Sequence, residues 1–448
     1  MSIALVILAA GKGTRMQSDL PKVLHEIAGA PMLAHTLFAG QSLDPKRCII
    51  IAGHGADAVR DVVQDHSPDA EIILQTEQLG TGHAVNQARD ALAEFTGNVI
   101  VLYGDSPLIQ AKTLETLSAS LSDSAVTVLG FEAKNPGRYG RLITVDDNLK
   151  RIVEFKDASD AEKSVTLCNS GLMAVAAPLL FELLSEIDNK NASGEYYLTD
   201  IVAKAVARGA VCKVLRCAES ETLGVNSQAE LAQAEYEFQS LRRAEALENG
   251  VTMPAPETVY FSYDTYIGRD TIVEQNVVFG PGVTVETGAR IRAFSHLEGA
   301  HVSRGCVVGP YARLRPGAEL AEDVTIGNFV EIKASVLAEG AKVNHLSYIG
   351  DATIGARANI GAGTVTCNYD GVVKHHTSIG EDAFIGSNTM LVAPVSVGQE
   401  AMTASGSVIV RDVPAGDLAI GRAKQENKTW LAVKLMKKIK AIKAAKKE

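Results

Sequence analysis

The residues of this chain best suited to chemistry begin in "IALVILAAGKGTRM", where an apolar run breaks into Gly11, Lys12, Gly13 and Arg15. A strand that runs into a glycine turn and a helix-like segment offers backbone N–H groups and a helix N-terminus to an anion, and phosphate is its natural guest. The spacing is not that of a Walker A loop, because no G-K-[ST] follows Gly11 at the required distance. Nor is it the dinucleotide fingerprint, since Met16 stands where the third glycine belongs. Taken alone, these glycines suit an ordinary βα turn equally well. Lys22 in "LPKVLH", a second glycine-rich turn in "QLGTGHA" and Asp105 at the end of "VLYGDSP" extend the set. A carboxylate at a strand's C-terminal end lies on the usual ligand edge of an α/β sheet, where a hard Mg²⁺ bridging phosphates would want oxygen; an aspartate that merely caps a turn would occupy the same place.

These residues need a scaffold, and up to about residue 225 the pattern supplies one. Short β-branched runs ("RCIIIAGHG", "EIILQTEQ", "NVIVLYGDSP", "AVTVLG") alternate with helix-like stretches such as Pro31 to Gly40 and Gly82 to Phe95. That alternation predicts βαβ units and a mostly parallel sheet with helices on both faces. From Ser227 to Glu248 the pattern is helical, with Ser227 as N-cap and Gly250 as stop, and it reads as a linker helix.

Beyond it, apolar residues recur every six positions: Ile267, Val273, Phe279, Val285 and Ile291; Val308, Leu314, Leu320, Ile326 and Ile332; Ile379, Ile385, Leu391 and Val397. Three short strands joined by tight turns make an 18-residue triangular coil whose inward residue repeats every six, which is a parallel β-helix. The frame breaks between Ile332 and Ile354 and between Ile360 and Ile379 imply loops leaving the wall, carrying "AKVNHLSY" and "TCNYDGVVKHH". Lys374, His375 and His376 in the second read as a solvated loop, and Cys367 as a wall residue. The tail "LAVKLMKKIKAIKAAKK" reads as an amphipathic helix that packs on a neighbouring subunit, with an acidic partner or membrane surface as the alternative.

Composition bounds the rest. With 448 residues the chain suggests two or three domains, and its formal charge of −10 argues against a nucleic-acid-binding face. The six cysteines show no metal-ligand or paired spacing, which points to a reducing, cytoplasmic setting. Ile3 to Ala10 is too short to span a bilayer and nothing basic precedes it, so neither a signal peptide nor a membrane span is expected.

"LAAGKGTRM", "LPK", "QLGTG" and "YGD" resemble the sugar-1-phosphate nucleotidyltransferase family. Joined to a hexapeptide β-helix with "NHLSYIG" and "NIGAGTVTCNYDG", they are similar over nearly the whole chain to the bacterial bifunctional enzymes that acetylate glucosamine-1-phosphate and then uridylylate it. The resemblance implies a Rossmann-like α/β nucleotidyltransferase domain over 1–226, a linker helix over 227–250 and a left-handed β-helix acetyltransferase domain over 251–448. The implied product is UDP-N-acetylglucosamine, a precursor for peptidoglycan and lipopolysaccharide, made from acetyl-CoA, UTP and the sugar phosphates.

By motif match, Leu8, Ala9, Ala10, Gly11, Gln75, Gly80 and Thr81 contact the nucleotide, while Arg15 and Lys22 balance phosphate charge. Tyr103 and Gly104 lie beside the site, Asp105 and Asn226 hold Mg²⁺, and Gly140, Glu154 and Asn169 line the sugar. In the β-helix, His345 is the base for the amine and Glu331 would orient its imidazole. Arg315 and Lys333 supply cations for the sugar phosphate, with Tyr348 and Asn359 as polar contacts. Acetyl-CoA contacts fall at Ala362, Asn368, Tyr369, Ser387, Ser405 and Arg422; "ASG" stands where the family pattern has "AAG", which puts Ser405 at an alanine position. Flat coil faces imply a homotrimer with acetyltransferase sites at subunit boundaries. Two rival readings remain: a sugar nucleotidyltransferase whose β-helix is only structural, and a regulatory subunit that has lost turnover.

Overall fold

The computed structural model describes residues 2–446. It divides into two compact units, one running to Glu248 and including Tyr260–Thr265, the other comprising Asn249–Val259 and the chain from Tyr266 onward.

In the first unit the β-branched runs form strands β1 (Ile3–Ala9), β2 (Arg47–Ala52), β3 (Glu71–Leu74), β4 (Asn98–Tyr103), β5 (Val126–Glu132), β6 (Arg141–Val145), β7 (Asn148–Val153), β8 (Leu167–Ala176) and β9 (Cys212–Cys217). They make one sheet in the order β3-β2-β1-β4-β8-β5-β9-β7-β6. Alternate residues of β1 face opposite sides, as the strand period requires. Leu5 and Ile7 join Leu33, Leu37, Val59 and Leu114 on one face, while Val6 joins Val85, Leu180 and Ile201 on the other. Helices therefore cover both faces, as expected.

The sheet is less parallel than the alternation predicts. β3, β2, β1 and β4 run parallel, but β8 runs antiparallel between β4 and β5, and β6–β7 is a hairpin at the far edge. β8 carries a register shift between Asn169 and Met173. Bulges of this kind bend a strand and re-aim its side chains.

A second difference lies in the opening turn. No α-helix follows "AAGKG"; Thr14–Met16 is a single 3-10 turn between Gly13 and Gln17, both left-handed, and the first α-helix is Met32–Gln41. Any anion bound there meets cationic side chains and loop amides rather than a helix dipole.

The helix expected as a linker spans Gln228–Glu248, with Ser227 Oγ accepting the Glu230 N–H at 3.3 Å. It packs within the first unit: Ala234, Leu231 and Phe238 meet Met16, Ile27 and Met32, and Glu235 accepts the Ala28 N–H at 2.7 Å.

The second unit is a left-handed parallel β-helix. Val273, Ile291, Val308, Ile326, Val343, Ile360 and Ile385 stack in one file, each pairing with the next coil, and none is more than 2% exposed. Each such burial contributes roughly 1.5–3 kcal/mol.

The first frame break is not a loop. Ile332 pairs with Ile349 and Leu337 with Ile354, so each of these turns is one residue short of 18, and "AKVNHLSY" stays in the wall as strands Lys342–His345 and Tyr348–Ile354. The spacing resembled an excess only because two steps of five were hidden within it. The second break is a true excursion: Ile354 pairs with Ile379 and Ile360 with Ile385, and the surplus folds into a hairpin bridged at Tyr369 and Lys374.

The tail forms helix Leu431–Ala445 with Leu435, Met436 and Ile439 exposed. Among the described residues no helix is long and apolar enough to cross a membrane.

Candidate functional sites

The C-terminal ends of β1 and β4 open onto a cavity of about 360 Å³ lined by Leu8, Ala9, Ala10, Gly11, Lys22, Gln75, Gly80, Thr81, Tyr103, Asp105 and Asn226, together with Val23, Gln78, Ala84 and Glu195. Of the residues expected around the nucleotide, Gly104 and Arg15 are outside the lining; Gly104 follows β4 directly, its N–H bonded to Leu8 O at 3.0 Å. Gln75 is buried, its Nε2 donating to Gly80 O at 3.3 Å. Gly80 has φ 111°, and a Cβ there would lie 2.6 Å from Tyr196 O, so only glycine allows the chain to turn so closely under the cavity.

Cationic groups converge at the cavity mouth. Lys22 Nζ donates to Asp105 Oδ2 and, at 3.1 Å, to Asn226 Oδ1, which also accepts from Arg15 Nη2 at 2.9 Å. A carboxylate and an amide oxygen already share one positive charge here, which is the donor chemistry a hard divalent cation takes. Among the described residues no three His, Cys, Asp or Glu side chains could hold a metal, so two protein oxygens would need ligand oxygens to complete the shell.

A second cavity, of about 500 Å³, is lined by Arg15, Arg138, Glu154, Phe155, Lys156, Ser193 and Tyr197. Gly140 and Asn169 border Glu154: a Cβ on Gly140 would be 3.5 Å from both, and Asn169 N–H bonds Gly140 O at 2.8 Å. The β8 bulge delivers Asn169 to this place. Burial pushes the Glu154 carboxyl up, against a hydrogen bond from Thr199 Oγ1 at 3.2 Å that stabilises its ionised form. Tyr103 lies between the two cavities; burial holds its phenol far up, and the Glu154 and Asp105 carboxylates add to this. Its ring packs where a Cβ on Gly171 would come within 2.7 Å.

In the β-helix, one corner gathers much of the second set. Asn328 pairs with His345 on the next coil. Above them the coils continue through Ala362, Ser387 and Ser405: Gly363 N bonds His345 O, Asn388 N bonds Ala362 O and Gly406 N bonds Ser387 O, all within 3.0 Å. Arg422 reaches Gly406, where a Cβ would meet its Cδ at 3.7 Å. The neighbouring left-handed corner position changes character along the column. It is Phe294, Tyr311, Phe329 and Leu346 up to His345, then Gly363, Asn388 and Gly406. Exposed aromatic rings stacked at 4.8 and 5.2 Å thus give way to a shelf of small residues.

The adjacent face holds Arg313, Arg315, Glu331, Lys333 and Tyr348, with Lys333 Nζ 3.7 Å from Asp351 and Asn368 Nδ2 bonded to Asp351 and, at 3.4 Å, to Tyr348 OH. Asn359 stands apart, on the face before the corner, paired with Lys342 and Phe384. Tyr369 is 60% exposed on the hairpin.

Glu331 is not the partner of His345. It is engaged by Arg315 at 2.8 Å and Arg313 at 3.7 Å, while His345 Nδ1 lies 2.8 Å from Asn328 Oδ1. In-register stacking explains this, because residues on one face contact the same face of adjacent coils, and Glu331 is a face residue whereas His345 is a corner residue.

Residues 5–192 match a family model described as a MobA-like NTP transferase domain, and 376–411 match the hexapeptide repeat of succinyl-transferase. The "Bifunctional protein GlmU" of Ruegeria sp. is 64% identical over 446 residues, 100% of this chain and 99% of its own. Those of Jannaschia sp. and Paracoccus denitrificans are each 60% identical and cover at least 98% of both chains. The chain belongs to the bifunctional GlmU family.

Two features of this GlmU-family chain escaped the motif reading. Asn328 is offset by one coil from His345 and could be found only by aligning "TIGNF" with "KVNHL" in register. Lys374, expected in a solvated loop, is indeed exposed but bridges to Tyr369 across the hairpin, and Lys333 lowers its pKa, first through hydrogen bonding and then through like-charge repulsion. His375 and His376 likewise have partners, at Asp370 and Thr353.

Proposed function

We propose that the chain acetylates glucosamine-1-phosphate with acetyl-CoA in its β-helix and, in its α/β unit, uridylylates N-acetylglucosamine-1-phosphate with UTP to give UDP-N-acetylglucosamine. The observation that carries this reading is the presence, in one chain, of a cavity formed by the expected nucleotide residues and a β-helix corner that stacks the expected base beneath the expected acyl-carrier contacts. The setting is the cytoplasm.

In the uridylyl half, a phosphate oxygen of the sugar phosphate attacks the α-phosphorus of UTP, and the bond to the bridging oxygen breaks to release pyrophosphate. No protein nucleophile is needed; positioning and charge neutralisation carry the step. Gln75 and the Leu8–Gly11 backbone hold the nucleotide, Gly140, Glu154 and Asn169 hold the sugar, and Arg15 and Lys22 oppose phosphate charge. Asp105 and Asn226 would hold Mg²⁺, which when bound supplies further neutralisation of the triphosphate.

In the acetyl half, the sugar amine attacks the thioester carbonyl, loses a proton to His345 Nε2, and the C–S bond breaks to release CoA, which takes the proton. Asn328 Oδ1 accepts from Nδ1–H and so leaves Nε2 unprotonated and ready. Arg315 and Lys333 bind the phosphate. Asn328→Ala should lower kcat for acetyl transfer about tenfold with KM little changed. Asn328→Asp should restore turnover but move the acidic limb of the pH profile upward, since an adjacent carboxylate favours the imidazolium. An unchanged kcat in Asn328→Ala would remove Asn328 from this role.

Asn359 and the Arg315–Lys333–Tyr348 set, which spans successive coils, occupy different faces of the β-helix, so a site that uses both would draw on a second copy. We infer a homotrimer, with the apolar face of the exposed tail helix seated on a neighbour. Sedimentation should give three times the chain mass; a monomer at working concentration contradicts it. The reading as a whole is tested by assaying the half-reactions separately, as pyrophosphate release from UTP and N-acetylglucosamine-1-phosphate and as thiol release from acetyl-CoA and glucosamine-1-phosphate.

A further inference from the structure

Among the residues lining the nucleotide cavity, Gln75 stands where one base could be told from another. It follows β3, and three strand spacings, about 14 Å, separate that strand from β4, which leads into Asp105. With the phosphates at Lys22 and Asp105, the base lies toward Gln75. The Gln75 backbone is pinned, its N–H bonded to Ala52 O at 2.8 Å and its O to Gln78 Nε2 at 3.2 Å, and the residue is buried.

What a base meets there depends on which way the amide is turned. Gln75 Nε2 lies 3.3 Å from Gly80 O and 3.0 Å from His83 Nδ1. A carbonyl oxygen only accepts, so the amide nitrogen must face Gly80. That carbonyl is fixed in place. It also accepts the Ala84 N–H at 3.0 Å, at the start of helix Thr81–Asn86, and Tyr196 ties the turn down by bonding Leu79 O and the Gly82 N–H, each at 2.8 Å. The second amide hydrogen then belongs to His83 Nδ1. A neutral imidazole has one lone pair to give, and Gln87 Nε2 also approaches the ring, 3.2 Å from His83 Nε2. Gln87 has His83 O as its own acceptor at 3.1 Å, so the lone pair goes to Gln75 and the ring carries its proton on Nε2. With both amide hydrogens engaged, Oε1 is the group left for a ligand.

Uracil presents an N3–H between two carbonyls, whereas cytosine presents a bare N3 beside its amino group. An acceptor held in place suits the first and opposes the second, while an amide free to rotate serves either. We propose that His83 is a positioning residue that fixes the Gln75 amide with Oε1 toward the base, and so sets the preference of this unit for a uracil over a cytosine nucleotide. The inference deepens the uridylyl reading and rests on it. His83 does not line the cavity and acts through Gln75.

The test measures kcat and KM for UTP and for CTP with N-acetylglucosamine-1-phosphate, as pyrophosphate release, in the unaltered full chain and in His83→Ala and His83→Asn. Asparagine can place Oδ1, an acceptor, where Nδ1 stands. In His83→Ala the ratio of kcat/KM for UTP to that for CTP should fall about tenfold, mainly through a higher KM for UTP, because the amide is then free to turn. In His83→Asn the ratio should return to near the unaltered value. Lost packing alone would lower turnover of both nucleotides together. An unaltered ratio in His83→Ala, an equal fall with both nucleotides, or a His83→Asn ratio that matches His83→Ala overturns the assignment. An unaltered chain that uses UTP and CTP equally well also overturns it, and leaves nucleotidyl transfer standing. If that chain releases pyrophosphate with neither nucleotide, the uridylyl reading fails first and the role of His83 falls with it.

Discussion

His345→Ala is expected to lower acetyl transfer by about 10²–10⁴-fold and to leave uridylyl transfer at the unaltered rate. The attacking amine is a cation at neutral pH and must lose a proton before or as it meets the thioester, so the group that takes the proton governs the rate. His345 is placed for this. Its ring is exposed on the corner with Nδ1 2.8 Å from Asn328 Oδ1, and the column above it narrows to Ala362, Gly363 and Ser387. Because the side chain is exposed and, among the described residues, its side-chain bond is to Asn328 alone, truncation removes little packing and the coil should survive. The comparison between half-reactions is an internal control on folding. Parallel loss of both activities in a folded variant would contradict a two-site chain.

Asp105→Ala should cost the opposite activity, lowering uridylyl transfer about 10²–10³-fold while acetyl transfer persists. Its carboxylate and Lys22 are each 14% exposed and form the inner pair at the cavity mouth. Without Asp105 the inner cluster keeps Lys22, Arg15 and Asn226 but loses the carboxylate paired with Lys22, and with it the donor a divalent cation would prefer there. Triphosphate charge would then be opposed by side chains alone. Asp105→Asn, which keeps one oxygen donor and no charge, should fall between. Mg²⁺-dependent turnover unchanged in Asp105→Ala would remove this residue from the metal site.

Much of both sites is legible in the sequence because each rests on a short-range rule. The six-residue period places the inward file of the β-helix, and "QLGTG" places Gly80 and Thr81 at the start of helix Thr81–Asn86. The misreadings share one cause: they depend on pairing between distant segments. The antiparallel insertion of β8 is a choice among sheet neighbours that no local pattern encodes. The break at "AKVNHLSY" looked like an excess because five-residue steps cannot be told from an insertion by counting alone, whereas the pairs Ile332–Ile349 and Leu337–Ile354 resolve it. The motif resemblance offers Glu331 to His345, but coil stacking gives Glu331 to Arg315 and His345 to Asn328.

The central claim is that one chain carries both chemistries. The most direct test gives the purified protein glucosamine-1-phosphate, acetyl-CoA, UTP and Mg²⁺ together, then omits each in turn and measures UDP-N-acetylglucosamine. The account predicts product only when all four are present. Product from N-acetylglucosamine-1-phosphate and UTP, with no thiol released from acetyl-CoA in any mixture, would contradict it and leave the β-helix as a scaffold.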